Sequence, residues 1–192
     1  MARRVRYFRL REQVQAGTWF LGDPLDSRGR QVADIWQFTE GHPIPPLQDR
    51  LSVPIDEPGG RLDFSTAGAG VTPILHVRAA SIFTELAPDD VQFLPVDIQG
   101  QPEQYVILVA KKLVRCIDDE ASKDVRYWKP EDGRPEKVGQ YRSVVDVRID
   151  PTKVGGAKVF RTWGWAVALI VSEDLKRALE SARVTGLRFE EA

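Results

Sequence analysis

Histidine and cysteine carry much of the nucleophilic, acid–base and metal chemistry of proteins, and this chain has only two histidines and one cysteine. His42 and His76 have no partner at the HxxxH or HExxH spacing that brings two imidazoles onto one helix face. A single cysteine, Cys116, cannot form a disulfide within the chain or supply a thiolate zinc site. Cys116 follows the apolar residues Leu113 and Val114, so we expect a buried side chain. We therefore predict no metal site and no cofactor.

Glycine pairs and carboxylate pairs are the other candidates for chemistry. Gly68-Ala69-Gly70 and Gly155-Gly156 do not extend into the GxGxxG or P-loop patterns that bind phosphates, and no GxSxG nucleophile motif occurs. The pairs Asp56-Glu57 and Asp89-Asp90 fall in expected loops, where solvated charges are ordinary. We predict that the protein is not an enzyme, with a small enzyme of unrecognised site as an alternative.

The segment after Ile117 combines acidic and aromatic residues, a composition typical of protein interfaces on exposed loops. The predicted partner-binding residues are Asp118, Asp119, Glu120, Asp124, Tyr127 and Trp128. The alternative is a solvated loop whose tryptophan folds back onto the sheet. A second aromatic feature, Trp163-Gly164-Trp165, is interpreted as a hairpin turn whose rings pack in the core, rather than as a contact site.

Short apolar runs separated by turn residues predict the strands that must position these side chains. We expect strands at 7–10, 17–21, 91–96, 105–109, 113–117, 144–149, 158–161, 166–171 and 187–189. Between residues 118 and 139 the chain is polar and is interrupted by proline and glycine, so a long exposed loop is predicted there.

Two segments have helical periodicity. The first is expected to begin at Thr72-Pro73, with Leu75, Ala79, Ile82, Phe83 and Leu86 on its apolar face. The second is expected to follow Ser172 as N-cap, with Leu175, Ala178, Leu179 and Ala182 buried and Gly186 at its end. The predicted fold is α+β, with a mainly antiparallel sheet, two main helices and an irregular Pro/Gly-rich N-terminal third.

Length and composition indicate a single globular domain of 192 residues, which could form two lobes, 1–70 and 71–192. The charge balance of 27 basic and 28 acidic residues argues against nucleic acid as the partner, although the basic stretch at 111–129 keeps a nucleic-acid-binding or regulatory module as an alternative. No signal peptide is recognisable, and the longest apolar stretch, 166–171, is too short to span a membrane. We predict a cytoplasmic protein that does not bind membranes.

An ordered series of short stretches resembles immunity family eleven of bacterial polymorphic toxin systems, formerly a domain of unknown function. The similar stretches are Val91-Gln92-Phe93-Leu94-Pro95-Val96, Tyr105-Val106-Ile107-Leu108, Cys116-Ile117-Asp118 with Ser122, Ile149-Asp150-Pro151, Val159-Phe160-Arg161, Val171-Ser172-Glu173-Asp174-Leu175 and Thr185-Gly186-Leu187-Arg188-Phe189. They cover residues 70 to 192, and the N-terminal third matches more loosely through Tyr7, Trp36 and Asp63-Phe64.

The resemblance implies an immunity protein that neutralises a cognate toxin, a nuclease in at least some members, by forming a tight complex. It supplies no catalytic residues. The toxin is expected to be encoded nearby, and the oligomeric state stays open. Charge complementarity to a basic nuclease surface places the contact at the acidic segment, with Tyr127 or Trp128 as an apolar anchor.

Overall fold

The computed structural model describes residues 5–192, which form two α-helices and fourteen strands. The strands are β1 (Tyr7–Glu12), β2 (Phe20–Leu21), β3 (Leu51–Val53), β4 (Ile55–Glu57), β5 (Phe64–Ala67), β6 (Thr72–His76), β7 (Val91–Ile98), β8 (Tyr105–Ala110), β9 (Leu113–Val114), β10 (Lys123–Tyr127), β11 (Tyr141–Val145), β12 (Val159–Thr162), β13 (Leu169–Ser172) and β14 (Leu187–Glu191). The helices are α1 (Val77–Leu86) and α2 (Glu173–Ser181), and short 3-10 turns occur at Gln37–Thr39, Pro130–Asp132, Pro135–Lys137 and Pro151–Lys153. The predicted α+β class, with mainly antiparallel pairing and two helices, is confirmed.

A five-stranded sheet has the order β14-β1-β13-β12-β9. Its pairs are antiparallel except β12–β9, which is parallel. Strand β1 lies between the two strands that flank α2, so an early segment of the chain is hydrogen-bonded on both sides to late ones. All residues of β12 and β13 are buried, in agreement with the apolar residues Val159-Phe160 and Leu169-Ile170-Val171, but β12 also buries the polar residues Arg161 and Thr162.

A seven-stranded sheet has the order β3-β7-β8-β6-β5-β2-β4. Its centre is antiparallel, and β3 and β2 join by parallel pairing with β7 and β5. Strand β8 lies between β7 and β6, and five of its six residues are buried. The short strands β2 to β5 belong to the N-terminal third: β5, β2 and β4 form one edge of this sheet, and β3 forms the opposite edge beside β7.

Helices α1 and α2 pack with both sheets around one shared core. This first core contains Leu10 of β1, Phe64 of β5, Phe83 of α1, Leu108 of β8 and Leu175 of α2, together with residues of β12 and β13. Helix α2 follows Ser172, as predicted, and has Glu173 and Asp174 in its first turn, where negative charge favours the helix N-terminus. The first core therefore joins elements that are far apart in the sequence.

The prediction that α1 begins at Thr72-Pro73 is wrong, because residues 72–76 form β6. The helix begins at Val77, and the Nδ1 atom of His76 caps it by accepting a hydrogen bond from the backbone N–H of Arg78. Pairing with β8 starts only at Ile74, so the missing N–H of Pro73 does not interrupt that ladder. Two-sided strand pairing outweighs the local helix-start signal.

The prediction of a long exposed loop from Asp118 to Gly139 is also wrong in part. Strand β10 lies within that segment and pairs antiparallel with β11, which begins three residues earlier than the predicted strand at Val144. Register shifts interrupt this pairing, and Asp124 has a left-handed backbone with φ of 46°. These register shifts are an irregularity of the β-bulge kind, and both faces of β10 are exposed. The sequence of β10 therefore lacks the alternation of apolar and polar residues that would have predicted a hairpin.

Candidate functional site

Asp118 shapes the turn that leads into the β10–β11 hairpin. Its backbone N–H donates to the carbonyl of Arg148 at 2.8 Å, and its carboxylate accepts from the backbone N–H groups of Glu120 and Ala121, both at 3.1 Å. This is an Asx-type turn, in which the side chain replaces a backbone acceptor. The carboxylate of Asp118 is therefore occupied in holding the turn.

Asp119 fastens this turn to the hairpin through two tyrosines. Its carboxylate accepts hydrogen bonds from the hydroxyls of Tyr127 and Tyr141, the latter at 2.7 Å. The two rings are 4.9 Å apart between centroids. Burial and the hydrogen bond to Asp119 raise the pKa of Tyr141, and the same two causes raise the pKa of Tyr127, so both hydroxyls stay protonated donors at neutral pH.

Glu120 and Asp124 are the two acids of the segment that remain available. Both are exposed, and neither carboxylate forms a hydrogen bond or ion pair with any residue of the described range 5–192. The neighbouring Lys123 is paired with Asp146 at 2.7 Å, so its charge is already compensated. A partner can therefore meet two uncompensated carboxylates on this side of the hairpin.

Trp128 follows β10, and two cations contact its ring. The Nζ atom of Lys137 and the guanidinium carbon of Arg142 each lie 5.3 Å from the ring centroid, within cation–π range. Arg142 is fixed in turn by Asp132 at 2.7 Å. The backbone N–H of Trp128 donates to the carbonyl of Gln140 at 2.9 Å, so the ring has a defined position.

The two aromatic features of the sequence meet in one depression, which we call the aromatic groove. It has a volume of about 550 Å³, and its walls include Trp128, Tyr141, Trp163, Trp165, Lys137 and Arg142. Asp118, Glu120 and Asp124 do not line it, whereas Asp119 and Tyr127 border it through Tyr141.

Trp163-Gly164-Trp165 forms the turn between β12 and β13, as predicted, but its rings are only half-buried and both line the aromatic groove. The guanidinium of Arg115 lies 4.3 Å from the ring of Trp163. Gly164 has φ of 77°, and a Cβ there would lie 3.1 Å from the ring of Tyr141. Trp165 also packs against buried core residues, as the core-packing interpretation expected, whereas that interpretation did not predict that both rings line a surface groove.

The matching protein-family model is the immunity protein family Imm11, which covers residues 21–192. The chain belongs to the Imm11 immunity protein family. The match confirms the resemblance and extends it into the N-terminal third, including the segment with Trp36. No curated protein matches the chain.

In this Imm11 protein, several of the residues first considered for chemistry are buried in the core or hydrogen-bonded to the backbone. Cys116 is buried, and the burial raises its pKa to about 12, so it is not a thiolate nucleophile at neutral pH. His76 caps α1, and Asp90 accepts hydrogen bonds from the backbone N–H groups of Lys158 and Val159. Residues 5–192 contain no group of three potential metal ligands and no helix long and apolar enough to cross a membrane.

Proposed function

We propose that this protein binds a cognate bacterial toxin, a nuclease, and neutralises it in the cytoplasm by forming a tight stoichiometric complex. Membership of the Imm11 immunity protein family carries the proposal. The protein acts as a binder without catalysing a reaction. The positions of Cys116, His76 and Asp90 in the fold agree with this, since each has a structural role.

We place the contact on the β10–β11 hairpin and the adjoining turn. Tyr127, Val138 and Val145 belong to the exposed large apolar residues of residues 5–192, and Trp128, which follows Tyr127, is half-buried. Aromatic side chains in fixed positions lose little conformational entropy on binding, and they dominate the energy of many protein interfaces. Tyr127 and Trp128 are therefore the proposed apolar anchors.

Electrostatic attraction supports the choice of a nuclease. A nuclease surface that binds phosphates is basic, and the exposed carboxylates of Glu120 and Asp124 supply the opposite charge. Attraction of this kind raises the rate of association more than it slows dissociation. Fast capture suits an immunity protein, because a free nuclease in the cytoplasm damages nucleic acid at once.

Co-expression tests the function. Expression of the toxin encoded beside this chain should kill cells, and this protein should restore growth. A toxin that kills equally with and without it would refute the immunity role against that toxin.

Charge substitutions on the purified protein test the interface. Glu120→Lys combined with Asp124→Asn should lower the association rate constant by about tenfold at low salt and make it less sensitive to salt. Asparagine is chosen at position 124 because it tolerates the left-handed backbone there. Asp118 and Asp119 are left unchanged because they hold the turn and the hairpin.

Glu85→Lys is the matched control, since Glu85 is an exposed acid on α1, outside the hairpin. It should leave the association rate nearly unchanged. Equal rates for the double variant and the unaltered protein would show that the hairpin carboxylates do not face the toxin.

A further inference from the structure

Arg161 is a buried cation without an anionic partner in the part of the chain that the structure describes. It lies on β12 with 4% of its surface exposed, and its Nη1 atom donates to the carbonyls of Ala166 and Val167 at 3.2 and 3.3 Å. Its Nε atom has no hydrogen-bond partner, and no carboxylate of residues 5–192 forms an ion pair with it. Burial lowers the pKa of Arg161 to about 9, so the side chain still carries its charge at neutral pH. A buried, uncompensated charge is costly to a fold.

Arg161 lines a cleft of about 480 Å³, which we call the arginine cleft. Arg9 and Arg11 also line it, and Arg11 is paired with Glu190 at 3.3 Å. Arg9 contacts the ring of Trp165 at 5.1 Å, and it lies opposite Glu190 in the pairing of β1 with β14, so the charge of Glu190 also acts on it. The cleft therefore contains one guanidinium group, that of Arg161, whose charge no carboxylate of residues 5–192 compensates, and a second, that of Arg9, which shares Glu190 with Arg11.

The two carboxylates on the walls of the arginine cleft do not form an ion pair with Arg161. Glu12 accepts a hydrogen bond from the backbone N–H of Thr66 at 3.0 Å and another from its hydroxyl, so it is committed to β5. Glu40 is exposed and forms no ion pair with either guanidinium. An anion from outside the described chain would complete the site.

The surroundings of the cleft favour a protein as the source of that anion. Four of the ten exposed large apolar residues in the described range line it: Val14, Trp36, Val71 and Val167, which are 64%, 50%, 46% and 49% exposed. A free small carboxylate would leave most of this apolar surface in water, whereas a protein surface covers it and excludes water around the charge. The cleft also shares Glu40, Ala166 and Val167 with the aromatic groove, so one partner can contact both.

We infer that the arginine cleft receives a carboxylate side chain of the toxin, which pairs with Arg161 while neighbouring apolar residues of the toxin cover Trp36, Val71 and Val167. The inference rests on the proposed function and adds a second contact of opposite charge to the acidic hairpin. A toxin that satisfies both surfaces must present basic and acidic groups in a fixed arrangement. Such paired contacts discriminate among related toxins, because a wrong partner leaves buried charges unpaired.

The first test measures the affinity of the purified protein for the toxin against which it protects cells. Arg161→Met removes the buried charge and keeps an apolar stem of similar length. It should weaken the complex by about 30-fold or more, because the toxin carboxylate then becomes buried without a partner. The free variant should unfold at the same temperature as the unaltered protein or at a higher one, since an uncompensated charge has been removed. Arg28→Met, at an exposed arginine that does not line the cleft, is the control.

A second variant covers the case in which Arg161→Met does not fold. Val167→Asp introduces a carboxylate at the exposed mouth of the cleft, where it competes with the toxin carboxylate and repels it. It should weaken binding by about tenfold or more. Val5→Asp, at a residue of similar exposure that does not line the cleft, should change binding little.

The outcomes separate the two proposals. A complex whose affinity is unchanged by Val167→Asp, and by Arg161→Met where that variant folds, would overturn the cleft inference and leave the immunity function intact. The absence of any complex with the unaltered protein would overturn both. Amide substitution of each toxin Asp and Glu should identify one position whose effect is lost in the Arg161→Met background. A melting temperature raised by millimolar 3-phenylpropanoate, with toxin affinity unaffected by the variants, would instead assign the cleft to a small carboxylate and refute the inference.

Discussion

Asp63 is a charged residue that joins three segments far apart in the sequence. Its carboxylate accepts hydrogen bonds from Nε and Nη2 of Arg78 at 2.7 and 2.5 Å, and from the backbone N–H and hydroxyl of Thr185 at 2.8 and 2.9 Å. Arg78 also donates to the carbonyls of Ala182 and Arg183, just after α2. One ion pair therefore connects the start of α1, the end of α2 and the segment before β5.

The pKa of Asp63 predicts how stability depends on pH. Burial alone would raise this pKa, but the hydrogen bonds from Arg78 and Thr185 outweigh it and lower the pKa from 3.8 to about 2. Because the folded pKa is below the unfolded one, the stabilisation is fully present above about pH 4 and is lost as the pH falls towards 2. Asp63→Asn should therefore lower the free energy of unfolding by about 2 kcal/mol at pH 7 and by little at pH 2, measured by urea denaturation.

Asp97→Asn is the control for this measurement, because Asp97 forms an ion pair with Arg50 in which both side chains are more than half exposed. Exposed pairs contribute little to stability. A loss at Asp63 that is the same at pH 2 and pH 7 would show that its charge is not the stabilising feature.

At the scale of elements, the turn between α2 and β14 depends on Gly186. Its φ is 85°, and a Cβ atom there would collide with the carbonyl oxygen of Phe64 in β5. Gly186→Ala should therefore destabilise the fold by about 3 kcal/mol or more, since the backbone of one element must move away from the other. Thermal unfolding of the purified variant measures the loss.

Gly100 provides the comparison, because its φ is 75° but a Cβ atom would meet nothing within 4 Å. Gly100→Ala therefore isolates backbone strain, and it should cost about 1 kcal/mol. Equal losses of stability in the two variants would mean that the backbone near Phe64 moves away from the added Cβ atom without destabilising the fold.

The sequence predicted elements best where local pattern and tertiary pairing agree. Strand β8, a continuous apolar run, was predicted close to its observed bounds, and the start of α2 after Ser172 was correct. The helix ends at Ser181, however, five residues before the predicted Gly186, and Ala182 is exposed. The start of α1 was misplaced because residues 72–76 are buried by pairing with β5 and β8, which no local signal reveals. Strand β10 was missed because both of its faces are exposed.

The sequence predicted which residue types belong to the candidate site, but it did not predict the contacts between them. The acidic and aromatic residues of 118–128 and the pair Trp163 and Trp165 were recognisable from their types. That Asp119 binds Tyr141, 22 residues away, depends on the folded hairpin. Arg161 gave no signal, because a lone arginine in an apolar strand becomes unusual only once its burial and its lack of a carboxylate partner are known.

At the scale of the whole molecule, the question is whether the two large sheets unfold together. The first core includes Val159, Leu169 and Val171 of the five-stranded sheet and Leu75 and Leu108 of the seven-stranded sheet. A second core lies within the seven-stranded sheet and the loops that cover it, and contains Trp19, Phe38 and Val53. Because the first core is shared, we predict that the chain unfolds as one cooperative unit rather than as the two lobes 1–70 and 71–192.

Val53→Ala tests this cooperativity, because Val53 is fully buried in the second core and belongs to β3, an edge strand of the seven-stranded sheet. The substitution should cost about 2 kcal/mol. In a single unit, that loss must appear equally in the amide hydrogen-exchange protection of β8 and of β13, although β13 is in the other sheet. Phe83→Ala, in the shared first core, is the positive control and should lower protection in both strands by about 3 kcal/mol or more. If Val53→Ala lowered protection in β8 alone while Phe83→Ala lowered both, the seven-stranded sheet would open independently, and the single-unit prediction would be wrong.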